Sequence, residues 1–398
     1  MQRYERFFIL VVAIVLFVEC GKNKGVGIQK ELPYGQYVEL QPADLPPPPV
    51  GMIYQAWVFW LEKSGDSYTA KFNSFQSFGW NGYAYKFTDP VTGADVGFRF
   101  KASPDGRNLF TENTTAYMRP DSLAKLMEQL LHGQSVILSG AARNLSGMVG
   151  FLLSVEPLGE TGVDTTIPKS PFLVGISNDS GTVMMAYPID YRGPDLKPTY
   201  FLASPSDSLI PLCPCEFNDS LILQNEARGV WLGQFDTNKT ELGRGAGRPD
   251  PVLTGLSRAL LPGWKFVAWL QRENGKPVHV GCFFRADSAD LCNSYVFNPN
   301  FVFPFPGEDF FTNPPPGALD GDRGLLGAKL IVTLEPDRPE DSVMFPMVVF
   351  QDTIPQTFTS NPDIDGNRHR NVQYNFVMQN RARFFPKMGL RILSELKK

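Results

Sequence analysis

The chain has 398 residues, of which 43% are apolar and 20% charged, with a net charge of −4. That is more chain than one ordinary hydrophobic core organises, and its mix is neither that of a disordered segment nor that of a multi-span membrane protein. A near-neutral, slightly acidic balance gives no electrostatic case for nucleic acid as a partner. The 36 Gly, 34 Pro and 31 Phe predict many short strands joined by tight turns, because Gly and Pro punctuate a chain and aromatics suit a pleated, half-buried surface. The expected fold is mainly β: two tandem antiparallel β-sandwich-like domains, with one short helix in the first.

Residues 1–6 carry two arginines and one glutamate, and residues 7–18 are an unbroken apolar run of twelve. A spanning helix needs about 20 such residues, whereas twelve suits the apolar region of a signal peptide. Cys20 follows, then Gly21-Lys22-Asn23-Lys24-Gly25. Leu16-Phe17-Val18-Glu19-Cys20 resembles the lipobox of bacterial lipoproteins, in which the cysteine is diacylated and becomes the mature N-terminus. That resemblance implies a lipoprotein-type signal peptide over residues 1–20, lipidation at Cys20, and an exported, membrane-anchored protein of the cell envelope, facing the periplasm or on the cell surface. The family prefers a small residue where Glu19 stands and an aliphatic one where Phe17 stands. A signal peptide cut elsewhere and an uncleaved anchor are the other readings of the same run.

Residues 21–49 end in Pro46-Pro47-Pro48-Pro49 and read as a stiff tether. A first β domain is expected over 50–158. It opens on the aromatic strand Tyr54-Gln55-Ala56-Trp57-Val58-Phe59-Trp60 and closes on Phe151-Leu152-Leu153-Ser154-Val155-Glu156-Pro157. Between them, residues 121–131 predict the clearest helix, with Asp121 as N-cap, apolar positions at 123, 126, 127 and 130, and Gly133 as the stop. A polar linker over 159–166 leads to a second β domain over 167–356, with strands at 172–176, 229–232, 264–270 and 345–350. Residues 357–398 read as a basic tail: from Arg368 onward eight Lys/Arg face one acid, so the rest of the chain carries −11. Such a tail is a solvated terminal strand or helix, or a surface for anionic lipid or a partner.

An internal repeat runs through the two domains. Tyr54-x-Ala56-Trp57-Val58 matches Phe266-x-Ala268-Trp269-Leu270, and Leu153-Ser154-Val155-Glu156-Pro157 matches Val332-Thr333-Leu334-Glu335-Pro336. In both, the aromatic strand precedes the Glu-Pro strand. Trp57 and Trp269 are accordingly expected to be equivalent core residues.

The second domain carries Leu261-Pro262-Gly263-Trp264, then Ala268-Trp269, Gly275-Lys276-Pro277, Gly281-Cys282-Phe283, Pro304-Phe305-Pro306-Gly307-Glu308-Asp309-Phe310 and Glu335-Pro336. This succession resembles the extracytoplasmic C-terminal domain of anti-sigma-K factors, and more closely the stand-alone bacterial lipoproteins built on that domain. The first domain matches only through its Trp and Glu-Pro strands. The Glu that the family carries two residues before the domain Trp is Val267 here and Gln55 in the first copy. Only six residues precede the apolar run, so no cytoplasmic sigma-binding domain and no sigma factor are expected. On the residues alone, Asn274-Gly275 reads as a hairpin turn. Residues 304–310 read as a shaped loop with Glu308-Asp309 as an acidic tip, since Pro cannot serve a central strand.

Beyond Cys20 there are four cysteines. In an exported chain an even remainder suggests disulfides. Cys282 and Cys292 are expected to bridge, and Cys213-Pro214-Cys215 is a candidate local disulfide. No metal is expected: of the three histidines, His132, His279 and His369, none lies at ligand spacing from the Cys213/Cys215 pair. Asp363-Ile364-Asp365-Gly366-Asn367 fails as a calcium loop because Arg368 and Tyr374 stand where Gly and Glu are needed. The glycine-rich stretch 243–247 has no strand before it and no helix after it, so it reads as a linker. No nucleophile elbow, zinc-protease or phosphate-loop motif occurs, so no catalytic residue and no cofactor are assigned. The expected role is non-enzymatic, structural or interactive, with the membrane and an unknown envelope protein or glycan as partners. The rival is a surface carbohydrate-binding β-sandwich, which needs Trp60, Trp80 and Trp231 exposed.

Overall fold

A computed structural model describes residues 36–42, 44–80, 87–101, 109, 126–127, 129–131, 136–137, 148–159, 167–177, 180–189, 191, 198–202, 204, 228–235, 249–250, 260–273, 275–284, 292, 306–337, 343–356 and 376–393. Along the chain the strands are β1 (Tyr37–Pro42), β2 (Met52–Ser64), β3 (Ser67–Trp80), β4 (Phe87–Thr88), β5 (Arg99–Lys101), β6 (Val136–Ile137) and β7 (Val149–Pro157). They continue as β8 (Pro171–Ile176), β9 (Thr182–Ala186), β10 (Thr199–Leu202), β11 (Gly229–Leu232), β12 (Gln234–Phe235), β13 (Pro249–Asp250) and β14 (Trp264–Gln271). The last are β15 (Val278–Phe283), β16 (Gly307–Asp309), β17 (Lys329–Pro336), β18 (Val348–Thr353), β19 (Phe376–Val377), β20 (Gln379–Asn380) and β21 (Lys387–Leu393). Among the described residues, helix is confined to residues 126–127 and 129–131 and two 3-10 turns, Gly321–Arg323 and Ala382–Phe384. The fold is mainly β.

Among the described residues every strand pairing is antiparallel. The largest sheet runs β4-β3-β2-β7-β8-β9-β21-β1-β5, with β6 also on β3, and a five-stranded sheet runs β15-β14-β17-β18-β20. A four-stranded sheet, β16-β11-β10-β19, and the pair β12-β13 complete the set. β2, β7, β14 and β17 are near-continuous apolar runs because they are central strands buried on both faces. The two larger sheets share one core: the Phe172 ring of β8 stacks on Trp264 of β14 at 5.5 Å, and the Trp264 indole donates to the Pro171 carbonyl at 2.7 Å.

The stretch between the expected domains is not a break in the hydrogen bonding. β8 and β9 lie within the span expected for the second domain, yet β8 pairs with β7 and extends the first sheet. The expected basic tail likewise contributes β21, which bridges β9 and β1. Its alternation explains why. Met388, Leu390 and Ile392 are buried while Lys387 and Arg391 point outward, the pattern of a strand with one face in solvent.

Two four-stranded motifs, β3-β2-β7-β8 and β15-β14-β17-β18, share their registers. Met52 opposes Pro157 and Trp264 opposes Pro336. Each motif has a register shift at the Ala-Trp pair, Ala56/Trp57 and Ala268/Trp269, and another at Leu153/Ser154 and Val332/Thr333. Each opens on a turn through a glycine at positive φ, Gly51 at 79° and Gly263 at 71°, whose carbonyls accept from Leu158 and Asp337 at 2.9 and 2.7 Å.

Candidate functional site

The residues singled out in the sequence meet in three places. The first is the pair of tryptophan clusters. Trp57 on β2 and Trp269 on β14 are each 1% exposed. The Trp57 indole donates to the Ser154 hydroxyl at 2.8 Å, and the Trp269 indole donates to the Thr333 hydroxyl at 3.1 Å. Ser154 and Thr333 in turn lie 3.5 and 3.3 Å from the carbonyls of Gln55 and Val267. A buried indole N–H needs an acceptor, and the residue two before each Glu-Pro pair supplies it. Glu335 joins the second cluster directly: its Oε1 accepts from Trp269 at 2.9 Å, from Thr333 at 2.7 Å and from the Phe345 amide at 3.2 Å. In the first, Glu156 Oε1 accepts from the Lys169 amide at 3.1 Å. Both glutamates are fully inside, so the Glu-Pro strands carry structural carboxyl groups. Pro336 closes β17 opposite Trp264.

The second place is Pro306-Gly307-Glu308-Asp309, and here the expected acidic loop is corrected. Gly307–Asp309 form β16 at the edge of the four-stranded sheet, pairing with Gly229, Val230 and Trp231 of β11. Glu308 and Asp309 are 0% exposed. Pro306 is no obstacle, because it precedes the strand and takes part only through its carbonyl, which accepts from Leu232 at 2.7 Å. Gly307 is required by close approach: a Cβ there would lie 2.5 Å from the Val230 carbonyl oxygen and 2.7 Å from Trp231 Cα. Asp309 Oδ1 caps the Phe311 amide at 2.9 Å.

The third is the bridge between Cys282 and Cys292, with Cα atoms 5.3 Å apart, inside the range a disulfide requires. Cys282 is 3% exposed and Cys292 half-buried. His279, which the sequence reading set aside, joins them. The ligand atoms of His279, Cys282 and Cys292 all lie within 4.8 Å of one another, and the imidazole meets the Trp269 indole edge-on at 5.3 Å. In a regular strand His279 and Cys282, three residues apart, would face opposite sides. The register shift against Ala268/Trp269 inserts one residue and turns both to the same side. A bulge leaves no mark in the sequence, which is why spacing alone missed this trio.

Elsewhere, buried polar groups serve the core. Tyr54 donates to the Pro46 carbonyl at 2.7 Å, and its burial pushes the hydroxyl well above the usual tyrosine range. Tyr200 donates to Asp352 at 2.9 Å, and burial, reinforced by that carboxylate, raises it as well. The Arg272 guanidinium, its pKa lowered by burial, donates to the carbonyls of Ala318, Leu326 and Gly324 and so braces the turn-rich segment before β17. Of the three tryptophans the carbohydrate reading needs, Trp80 is 6% and Trp231 0% exposed, and Trp60 is half-buried with its indole on Glu62 at 3.2 Å. Cys20, Cys213, Cys215 and residues 243–247 and 363–367 lie outside the described residues. No described helix is long and apolar enough to cross a membrane. Compared with known proteins, the chain matches no protein family, no curated protein and no solved structure.

Proposed function

We propose that this chain is an exported protein of the cell envelope, tethered to a membrane through a lipid on Cys20, whose β body has a non-enzymatic structural or interaction role. The observation that carries this reading is where the chemically able side chains lie. The carboxyl groups of Glu156, Asp309 and Glu335 are buried within sheets and accept hydrogen bonds from backbone amides, and Glu308 is equally buried. Trp80 and Trp231, which a sugar-stacking surface would need outside, are in the core. The tandem motifs are two copies of one unit, and the second resembles the anti-sigma-K C-terminal domain in its Trp, Pro-Gly-Glu-Asp and Glu-Pro segments. An interaction role has a surface to use: Phe384, 62% exposed, lies under the guanidinium groups of Arg381 and Arg383, 5.0 and 4.7 Å from its ring centre, a cation–aromatic cluster of the kind found at contact surfaces.

The test is metabolic labelling with a fatty-acid analogue in a bacterial host. Wild-type protein is expected to take up label in the membrane fraction, and Cys20→Ser is expected to take up none. Equal labelling of the two would refute the tether.

A further inference from the structure

We propose that His279, Cys282 and Cys292 form a redox-gated binding site for a thiophilic d10 cation, closed when the cysteines are bridged and open when they are reduced. Two thiolates and one imidazole are the ligand set that zinc and cuprous ions favour. Around such an ion, metal–sulfur bonds of about 2.3 Å and metal–nitrogen bonds of about 2.0 Å place neighbouring ligand atoms roughly 3.5–4 Å apart. The three ligand atoms already lie within 4.8 Å of one another, so the site needs the sulfurs to part rather than a new fold. The fourth position falls to water, because His279 and Cys292 are only half-buried.

The first motif provides an internal control. The registers place Ser74 opposite Trp57 as His279 lies opposite Trp269, and Ser77 opposite Gln55 as Cys282 lies opposite Val267. The same bulge, ladder and indole therefore exist with serines at both positions. The backbone does not demand the histidine and cysteine of the second motif; a staple accounts for the cysteine, and the imidazole beside it points to a ligand role.

The chemistry balances as follows. A dithiol reductant attacks the Sγ–Sγ bond by exchange and leaves as its own disulfide, and two electrons and two protons end on Cys282 and Cys292 as thiols. A divalent cation then displaces both thiol protons and accepts the neutral imidazole of His279.

The test uses the full chain with Cys20, Cys213 and Cys215 replaced by serine, so that only this pair remains. Zn(II) and, anaerobically, Cu(I) are offered to reduced and to oxidised protein. Metal retained after desalting is measured by elemental analysis, and affinity by competition with a chromophoric chelator. Reduced protein is expected to hold one ion per chain and oxidised protein none. His279→Ser, which copies Ser74, is expected to fold and to weaken binding roughly tenfold or more. Co(II) is expected to give a sulfur-to-metal charge-transfer band that Cys282→Ser/Cys292→Ser lacks. Failure of both ions to bind the reduced protein, binding equal in the two redox states, or binding unchanged by His279→Ser would each overturn the proposal.

Discussion

Replacing each repeat tryptophan by phenylalanine separates what the two motifs share from what they do not. Trp57→Phe and Trp269→Phe both keep an aromatic ring in a site that is 1% exposed, and both forfeit part of the packing of a large buried side chain. They differ in what the lost N–H leaves behind. In the first motif the Ser154 hydroxyl loses a donor, a neutral hydrogen bond contributing about 1 kcal/mol net. In the second, Thr333 and Glu335 Oε1 both lose it. The second motif thus loses a second hydrogen bond as well, on an oxygen where three donors converge, a further contribution of about 1 kcal/mol. Trp269→Phe should therefore cost about 1 kcal/mol more than Trp57→Phe, while truncation of either to Ala should cost about 3–5 kcal/mol. Urea unfolding followed by far-ultraviolet circular dichroism reads both without relying on the mutated fluorophore. Equal costs for the two Phe variants, or an Ala variant losing under about 1 kcal/mol, would refute the assignment of Glu335 to the indole.

The turn glycines give a second paired test. Gly51→Ala meets nothing within 4 Å at φ 79° and should cost only the left-handed penalty of about 1–2 kcal/mol, whereas Gly263→Ala puts a Cβ 2.2 Å from the Lys169 carbonyl oxygen and should be clearly more damaging in the same assay. A third test concerns pH. Burial raises the Glu39 carboxyl, but hydrogen bonds from Arg99 and Gln41 and the charges of Arg99 and Arg391 outweigh it, so its pKa is lowered. A lowered pKa means the contribution is full above the unfolded value of about 4.3 and lost as pH falls through the folded value. The stability deficit of Arg99→Ala should thus be about 0.2–1 kcal/mol at neutral pH and should vanish in acid, and a deficit that persists there would contradict the pairing.

How much of this was legible in the sequence depended on whether the signal was local. The apolar runs at 54–60, 151–157 and 264–270 predict strands and are strands, because central strands buried on both faces need no alternation to be recognised. The Cys282–Cys292 bridge followed from spacing and composition. Residues 387–393 carry an equally plain period-two pattern, Lys-Met-Gly-Leu-Arg-Ile-Leu, which fits the terminal strand among the alternatives for the basic tail, while its place between two strands of the largest sheet leaves no local mark. Pro306 misled in the opposite direction, since a proline argues against a central strand and says nothing against a strand that begins one residue later at a sheet edge. The partnership of β8 with β7 and of β21 with β9 and β1 is set by long-range packing, which no window of sequence contains.

The two motifs also explain why only the second is bridged. On β14 the inward residues Trp264, Phe266, Ala268 and Leu270 join the main core, while Val267 and Trp269 on the opposite face form a small separate cluster with Cys282 and Ile331. On β2 the residues of both faces, Tyr54, Ala56 and Val58 with Trp57 and Phe59, belong to the main core. The outer face of the five-stranded sheet therefore has a thin cover, in which Cys292, Met344 and Val348 are only partly buried. An indole on such a face stays dry only if the chain above it is held down. A bond from Cys282, at the floor of the cluster, to Cys292, in its cover, does that directly. Closing a loop of this length also removes unfolded-state entropy equivalent to about 3 kcal/mol. The first motif, whose Trp57 lies in the main core, keeps serines at positions 74 and 77 and has no need of the bond. Opening the bridge to bind an ion would exchange one staple for another across the same cluster, since a metal held by His279, Cys282 and Cys292 ties the same cover to the same floor.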